Sequence, residues 1–130
     1  MTTFITDTHS LFWYLGGSPL LGAAARSVFD EVASGSGQVS IPAIVLAELI
    51  MLVEKRRRGV DAMSIVVALR AAPGFRFTSL MPQTVLRIQS LTVLPDIYDR
   101  LIVAEALESG APLITRDEAI TASGLVPVVW

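Results

Sequence analysis

The chain has 130 residues, 52% of them apolar, no cysteine and a formal net charge of −2. This length supports one domain, able to bury about two thirds of its unfolded surface. The composition excludes disulfides and thiolate metal sites, and the charge excludes broad attraction to nucleic acid, so any such contact must use a local patch. A mean hydropathy of +0.61 exceeds what one small core needs, so a homodimer or another partner interface is expected. The longest apolar run is broken by Glu48 and is too short to cross a bilayer. Met1-Thr2-Thr3 lacks the basic segment of a secretory signal. The expected location is therefore the cytoplasm, with no membrane partner.

In chain order, Thr3 to Thr6 reads as a short buried strand, and Thr8 to Leu15 as a helix stopped at Gly16-Gly17. Leu21 to Ala33 reads as a second helix, ended by Ser34-Gly35-Ser36-Gly37. Gln38 to Ser40 is expected as a strand, with Pro42 in the first turn of a third helix that runs to about Arg58. Asp61 caps a fourth helix to Ala72, before Pro73-Gly74. Phe75 to Leu80 reads as a strand, then Pro82 to Ser90 and Asp96 to Ser109 as helices. Leu113 to Thr115 and Val126 to Val129 complete the set as strands. No repeat or linker interrupts the pattern. Repeated strand–helix–strand units imply an α/β fold, a central parallel sheet covered by helices on both faces.

Four carboxylates interrupt or abut stretches that read as core. Asp7 follows Phe4-Ile5-Thr6, and Glu48 splits an apolar run from Ala43 to Val53. Asp99 opens Leu101-Ile102-Val103-Ala104, and Asp117 closes Pro112-Leu113-Ile114-Thr115. In open parallel sheets, ligand sites form beyond the carboxyl ends of the strands, which places Asp7 and Asp117 at one edge. Asp96 and Asp99 belong to the start of one helix, and Glu48 sits near enough to the start of another to face that edge. Two ionised carboxylates about 4 Å apart repel by roughly 4 kcal/mol at an effective dielectric near 20. A divalent cation is the natural shared partner, and oxygen-only donors suit Mg²⁺ or Mn²⁺. One histidine and no cysteine argue against structural zinc.

These motifs carry a resemblance. The order Asp7-Thr8-His9, Glu48 within an apolar helix, Asp96-Ile97-Tyr98-Asp99-Arg100 and Thr115-Arg116-Asp117 resembles the PIN-domain ribonucleases, and among them the VapC-type toxins of bacterial toxin–antitoxin pairs. The similarity covers nearly the whole chain as one PIN-like domain (residues 1–130), although Gly59 to Thr92 carries no motif. It implies that Asp7, Glu48, Asp99 and Asp117 form the catalytic quartet, with Asp7, Asp99 and Asp117 in direct or water-bridged contact with the metal. Glu48 would orient or deprotonate the attacking water, or hold a second ion. Asp96 and Thr115 become auxiliary residues. The resemblance further implies cleavage of structured RNA to 5′-phosphate and 3′-hydroxyl ends, and a small antitoxin covering apolar surface.

Each residue also has a plainer reading. Asp7, Asp96 and Asp117 suit helix caps, and for Asp96 the cap is favoured. His9 is not assigned a catalytic part, and Trp13 and Tyr14 read as core or interface rather than base-stacking groups. The cluster Lys55-Arg56-Arg57-Arg58 first complements a helix C-terminus, with RNA phosphate contact as the second reading. Arg100 and Arg116 adjoin the acids and can pair with them or with phosphate. A phosphoacceptor signalling domain lacks its late lysine here, and an aspartate-nucleophile phosphatase lacks a second acid two residues after Asp7. The remaining alternatives are a non-catalytic PIN-like RNA- or protein-binding module, and an RNA-processing nuclease without a toxin role.

Overall fold

A computed structural model of the chain describes residues 2–56 and 59–130. The chain runs β1 (Thr3–Thr6), α1 (Thr8–Leu15), α2 (Ala23–Ala33), β2 (Gln38–Pro42), α3 (Ala43–Arg56), α4 (Ala62–Ala71) and β3 (Phe75–Thr78). It continues through α5 (Pro82–Arg87), a 3₁₀ turn (Ile88–Ser90), α6 (Ile97–Ser109), β4 (Leu113–Ile114), α7 (Glu118–Ser123) and β5 (Val128–Val129). The five strands are all parallel and lie in the order β3-β2-β1-β4-β5. Helices cover both faces of this sheet. Register follows the apolar residues: Phe4 lies opposite Val39, Val39 opposite Phe75, Ile5 opposite Leu113 and Leu113 opposite Val128.

The strands are near-continuous apolar runs because both of their faces are buried. Ile5, Val39, Ile41, Leu113 and Ile114 are essentially inaccessible. A stack of aromatic rings ties helix to sheet on one side: Tyr14 of α1 lies 4.5 Å from Phe29 of α2, and Phe29 lies 6.3 Å from Phe75 of β3. Helix α6 is the most enclosed, with Leu101, Ile102, Val103, Ala104 and Ala106 all buried. It packs against α3 and α5. This envelope matters for the site, because Asp99 projects from the first turn of that buried helix.

Element boundaries depart from the sequence expectations in instructive ways. Pro42 is the last residue of β2 rather than part of α3, because β3 pairs alongside it, Ile41 with Phe77 and Pro42 with Thr78. Helix α2 starts at Ala23, since Leu21 turns into the core and Gly22 caps in an extended conformation. The span Pro82 to Ser90 divides into α5 and the 3₁₀ turn. The end of the third helix expected near Arg58 lies outside the described residues.

The turn into β3 depends on a glycine. Gly74 has φ of +79°, and a Cβ there would come within 2.7 Å of the Gly37 carbonyl oxygen. Gly74 also accepts from Val39 N at 2.8 Å, starting the β2–β3 ladder. Gly17 shares a positive φ (+63°) but has open space around the Cβ position. Gly17→Ala should therefore cost about 1 kcal/mol of stability from backbone strain alone. Gly74→Ala should exceed that by about 1–3 kcal/mol because the clash is with backbone. Urea denaturation of the two variants checks this; equal losses would show that the close approach is not a constraint.

Candidate active site

The strand order reverses at β1. From β1 the chain moves outward to β2 and β3, then returns to the other side of β1 to form β4 and β5. Such a switch point opens a crevice beyond the strand carboxyl ends, because the flanking connections diverge to either side. Asp7 follows β1 and Thr115 follows β4, so both belong to this crevice. The two strands are tied there by Asp7 N donating to Ile114 O at 3.1 Å. Ser10 Oγ also donates to Ile114 O, at 3.2 Å.

Asp7 is the N-cap of α1, where Oδ1 accepts from Ser10 N at 2.9 Å. Its other oxygen, Oδ2, accepts from the buried Thr115 Oγ1 at 2.5 Å. Thr115 Oγ1 in turn accepts from Asp117 N at 3.0 Å. Asp117 caps α7 through Ile120 N, 2.8 Å from Oδ1. Glu48, half-buried on α3, accepts from Thr8 Oγ1 at 2.7 Å. Asp96 caps α6, accepting from Tyr98 N at 2.8 Å and Asp99 N at 3.1 Å. Cap geometry and convergence are thus compatible, since three helix starts, those of α1, α6 and α7, meet at one crevice.

One pocket of about 250 Å³ is lined by Asp7, Glu48, Asp96, Asp99 and Asp117, together with Thr8, His9, Tyr98 and Ile102. All five sequence-selected acids meet there. Thr115 stands behind Asp7 as its hydrogen-bond donor. Nothing local in the sequence assigns Thr8 a role. Its hydroxyl holds Glu48 across 40 positions of chain, and only tertiary structure brings the two together.

Electrostatics express the crowding. Burial, then the charges of Asp117, Asp96, Asp7 and Glu48, push the Asp99 carboxyl up to about 7. Burial also raises Asp7, although its hydrogen bonds from Ser10 and Thr115 oppose the rise. Glu48 is raised mainly by burial, opposed by Thr8 and aided by Asp96. Asp99 accepts no hydrogen bond among the described residues, so it has the least compensation.

The donor set fits a hard divalent cation: five carboxylates, one imidazole and no sulfur around one pocket. Among the described residues, no three of these groups already form a closed coordination sphere. Asp7, Asp96, Asp117 and Glu48 each spend at least one oxygen on a hydrogen bond, so closing such a sphere requires side-chain rotation or bridging water.

A pH dependence follows. The folded protein holds the Asp99 proton to about 7, against 3.8 for an ordinary aspartate, so it binds more protons than the unfolded chain between these values. Metal-free stability should fall as pH rises through that window. Asp99→Asn should flatten the decline, and Mn²⁺ should raise the melting temperature most near pH 8. Calorimetric melts from pH 4.5 to 8.5, with EDTA and with Mn²⁺, measure this. A wild-type melting temperature that climbs toward pH 8 in EDTA would contradict the site's electrostatics.

Basic residues divide clearly. Arg100 is structural: its Nε donates to Leu94 O at 2.5 Å and its terminal nitrogen to Ile88 O at 3.4 Å, anchoring the loop before α6. Lys55 lines a second cleft of about 240 Å³ with Thr8, His9, Glu48, Met51, Leu52 and Tyr98. Arg56 is exposed at the end of α3, whereas Arg57 and Arg58 lie outside the described residues. Arg116 is exposed on the other flank, its guanidinium 4.9 Å above the Trp13 ring.

Comparison with known proteins agrees with this architecture. The family profile described as the PIN domain matches residues 4–123. No curated protein matches the sequence. Among solved structures, the chain is similar to VapBC2 from Rickettsia felis bound to a DNA fragment from its promoter, with a TM-score of 0.74 at 16% identity over 98% of this chain and 97% of that one. It is similar to DNA-bound VapBC from Salmonella typhimurium, with a TM-score of 0.72 at 18% identity, covering 98% and 97% respectively. It is also similar to Mycobacterium tuberculosis VapC20, a toxin that cleaves the sarcin–ricin loop, with a TM-score of 0.69 at 20% identity, covering 99% and 100%. At these identities the likeness is one of fold. The family profile spans almost the whole chain, and the parallel sheet with its acid-lined switch point agrees with it: the chain belongs to the PIN-domain family.

Proposed function

We propose that this chain is a divalent-metal-dependent endoribonuclease acting on structured RNA, and the toxin of a VapC-type toxin–antitoxin pair in the cytoplasm, with residues 1–130 as one nuclease domain. The observation that carries the reading is the single pocket lined by Asp7, Glu48, Asp96, Asp99 and Asp117. So many acids in one half-buried place are mutually destabilising, as the raised Asp99 carboxyl reflects, and a bound cation relieves that repulsion. Asp7, Asp99 and Asp117 hold the metal, Mg²⁺ or Mn²⁺. When bound, the cation supplies positive charge against the developing charge on phosphate and acidifies water.

The chain's own groups do the rest. Glu48, kept in orientation by Thr8, turns the attacking water and accepts its proton. Thr115 fixes the Asp7 carboxylate from behind, and Asp96 holds the first turn of α6 in place for Asp99. Lys55 and Arg56, at the end of the Glu48 helix, meet RNA phosphates beside the pocket, and Arg57 and Arg58 extend that basic stretch in sequence.

The toxin reading is supported by the neighbours of known structure, which include toxin–antitoxin complexes, and by apolar surface that the domain leaves uncovered. A groove of about 250 Å³ runs between α1, α3 and α4, lined by Phe12, Leu15, Leu49, Val53, Val60 and Ile65 among others. It suits a small antitoxin. The exposed Leu80, Met81, Val85 and Leu86 around α5 suit a second copy in a homodimer.

Purified protein with Mn²⁺ should cut a structured RNA, and EDTA should stop the reaction. Glu48→Gln should lower kcat by about 10²–10⁴-fold, and Asp99→Asn should abolish Mn²⁺ stimulation. Absence of cleavage by the wild type, or equal cleavage by Asp7→Asn and Glu48→Gln, would reject the assignment.

A further inference from the structure

Arg116 differs from the four arginines with a described polar partner and, like Arg70 over Phe77, rests on an aromatic face. Arg26 donates to Ser18 O, Arg76 to Ser40 Oγ and Arg100 to Leu94 O, and Arg87 pairs with Glu108. Arg116 makes no hydrogen bond or ion pair among the described residues, although Asp7, Asp117 and Glu118 line the same cleft. Its guanidinium instead lies 4.9 Å above the face of Trp13. Trp13 is held on its own account, 5.5 Å from the His9 ring and 5.8 Å from Trp130. A guanidinium over an aromatic face keeps its charge and its five donors while losing freedom of movement.

The cleft beneath has a volume of about 520 Å³ and is lined by Asp7, His9, Trp13, Arg116, Asp117 and Glu118. That size lies within the range of about 300–1,000 Å³ usual for small-ligand clefts. It shares Asp7, His9 and Asp117 with the five-acid pocket, so the two are one continuous trough. A phosphodiester strand entering there meets carboxylates that repel it, on a protein whose net charge is already −2. A guanidinium held on a ring, with no polar partner among the described residues, is the group that offsets this, and its planar fork matches a phosphate.

We propose that Arg116, seated on Trp13, grips a phosphate of the RNA backbone next to the scissile one, and that Trp13 is a positioning residue acting through Arg116. The inference rests on reading the acid pocket as a ribonuclease site. Arg116 then sets where along the strand the acids fall. Its contact is made equally in the ground and transition states, so it governs KM rather than kcat.

The test uses a fluorescein-labelled RNA hairpin, with binding titrated in Ca²⁺ at several salt concentrations and cleavage followed in Mn²⁺. Arg116→Gln should weaken binding and raise KM at least roughly tenfold, leave kcat within about twofold, and reduce the salt slope by about one. Trp13→Phe should stay near wild type. Trp13→Leu should reproduce part of the Arg116→Gln defect and add nothing to it in the double variant. Unchanged affinity and slope in Arg116→Gln would overturn the proposal. So would a loss confined to kcat, which would put Arg116 on the reacting phosphate. Additive defects would overturn the positioning role of Trp13 and assign it a contact of its own. If the wild type binds the hairpin but leaves it uncut, the ribonuclease reading falls while the Arg116 comparison is still decided by affinity and slope. If it neither binds nor cuts, both fall.

Discussion

The parallel pairing of β1 with β4 is the constraint on which the rest of the molecule depends. It joins residues more than 100 positions apart, Ile5 to Leu113 and Thr6 to Ile114, and it brings Asp7 against Thr115. β4 has only two residues, so the junction leans on side chains as well as on the ladder. Ser10 Oγ, Thr115 Oγ1 and Asp7 Oδ2 knit the strand ends into a local network. An open crevice results because the chain leaves β1 in one direction and returns on the other side.

That network creates a tension that the fold does not relieve by itself. Helix caps are ordinarily favourable to acids, since the helix dipole and free N–H groups stabilise negative charge. Asp7, Asp96 and Asp117 each have such a place. Bringing three caps together turns individually stabilised charges into a mutually repelling group, and Asp99, uncapped and at the start of the most buried helix, bears most of the repulsion. Local stability and functional demand are therefore met by the same carboxylates: Asp96 and Asp117 are anchored through Oδ1, and Asp7 through both oxygens, by Ser10 N and Thr115 Oγ1.

The flanks of the trough show a division of labour among cations. Arg100 is consumed in holding a loop, whereas Arg116 lies on an aromatic face and Lys55 borders the cleft beside Glu48. A chain with net charge of −2 has no general attraction for a polyanion, so placement matters more than number. Part of the apolar excess noted in the composition lines a groove between α1, α3 and α4 and part forms a patch around α5, while Leu20, Met51, Val93 and Ile97 are exposed elsewhere.

Much of this was legible in the sequence. The period of apolar residues, the Gly16-Gly17 and Gly110 stops and the Asp61 cap located most elements to within two residues, because these signals are local. Asp7, Glu48, Asp99 and Asp117 stood out because charge within or beside apolar runs is expensive, whereas Asp96 read first as a cap. Strand-end placement of Asp7 and Asp117 and helix-start placement of the others were enough to expect their convergence. Boundaries that failed did so where a neighbour decides: Pro42 is strand because β3 lies beside it, and α2 starts late because Leu21 enters the core. Partnerships between distant residues were beyond the sequence for the same reason. That Thr8 holds Glu48, that Arg100 turns inward while Arg116 lies on Trp13, and that Trp13 borders the acids are consequences of packing. By itself the sequence determined the element order, the α/β class and which acids were out of place, since these follow from short-range propensity and desolvation. Only tertiary structure decided which groups share the trough and which cation lines it, because contacts across 40 to 100 positions are set by how the sheet closes.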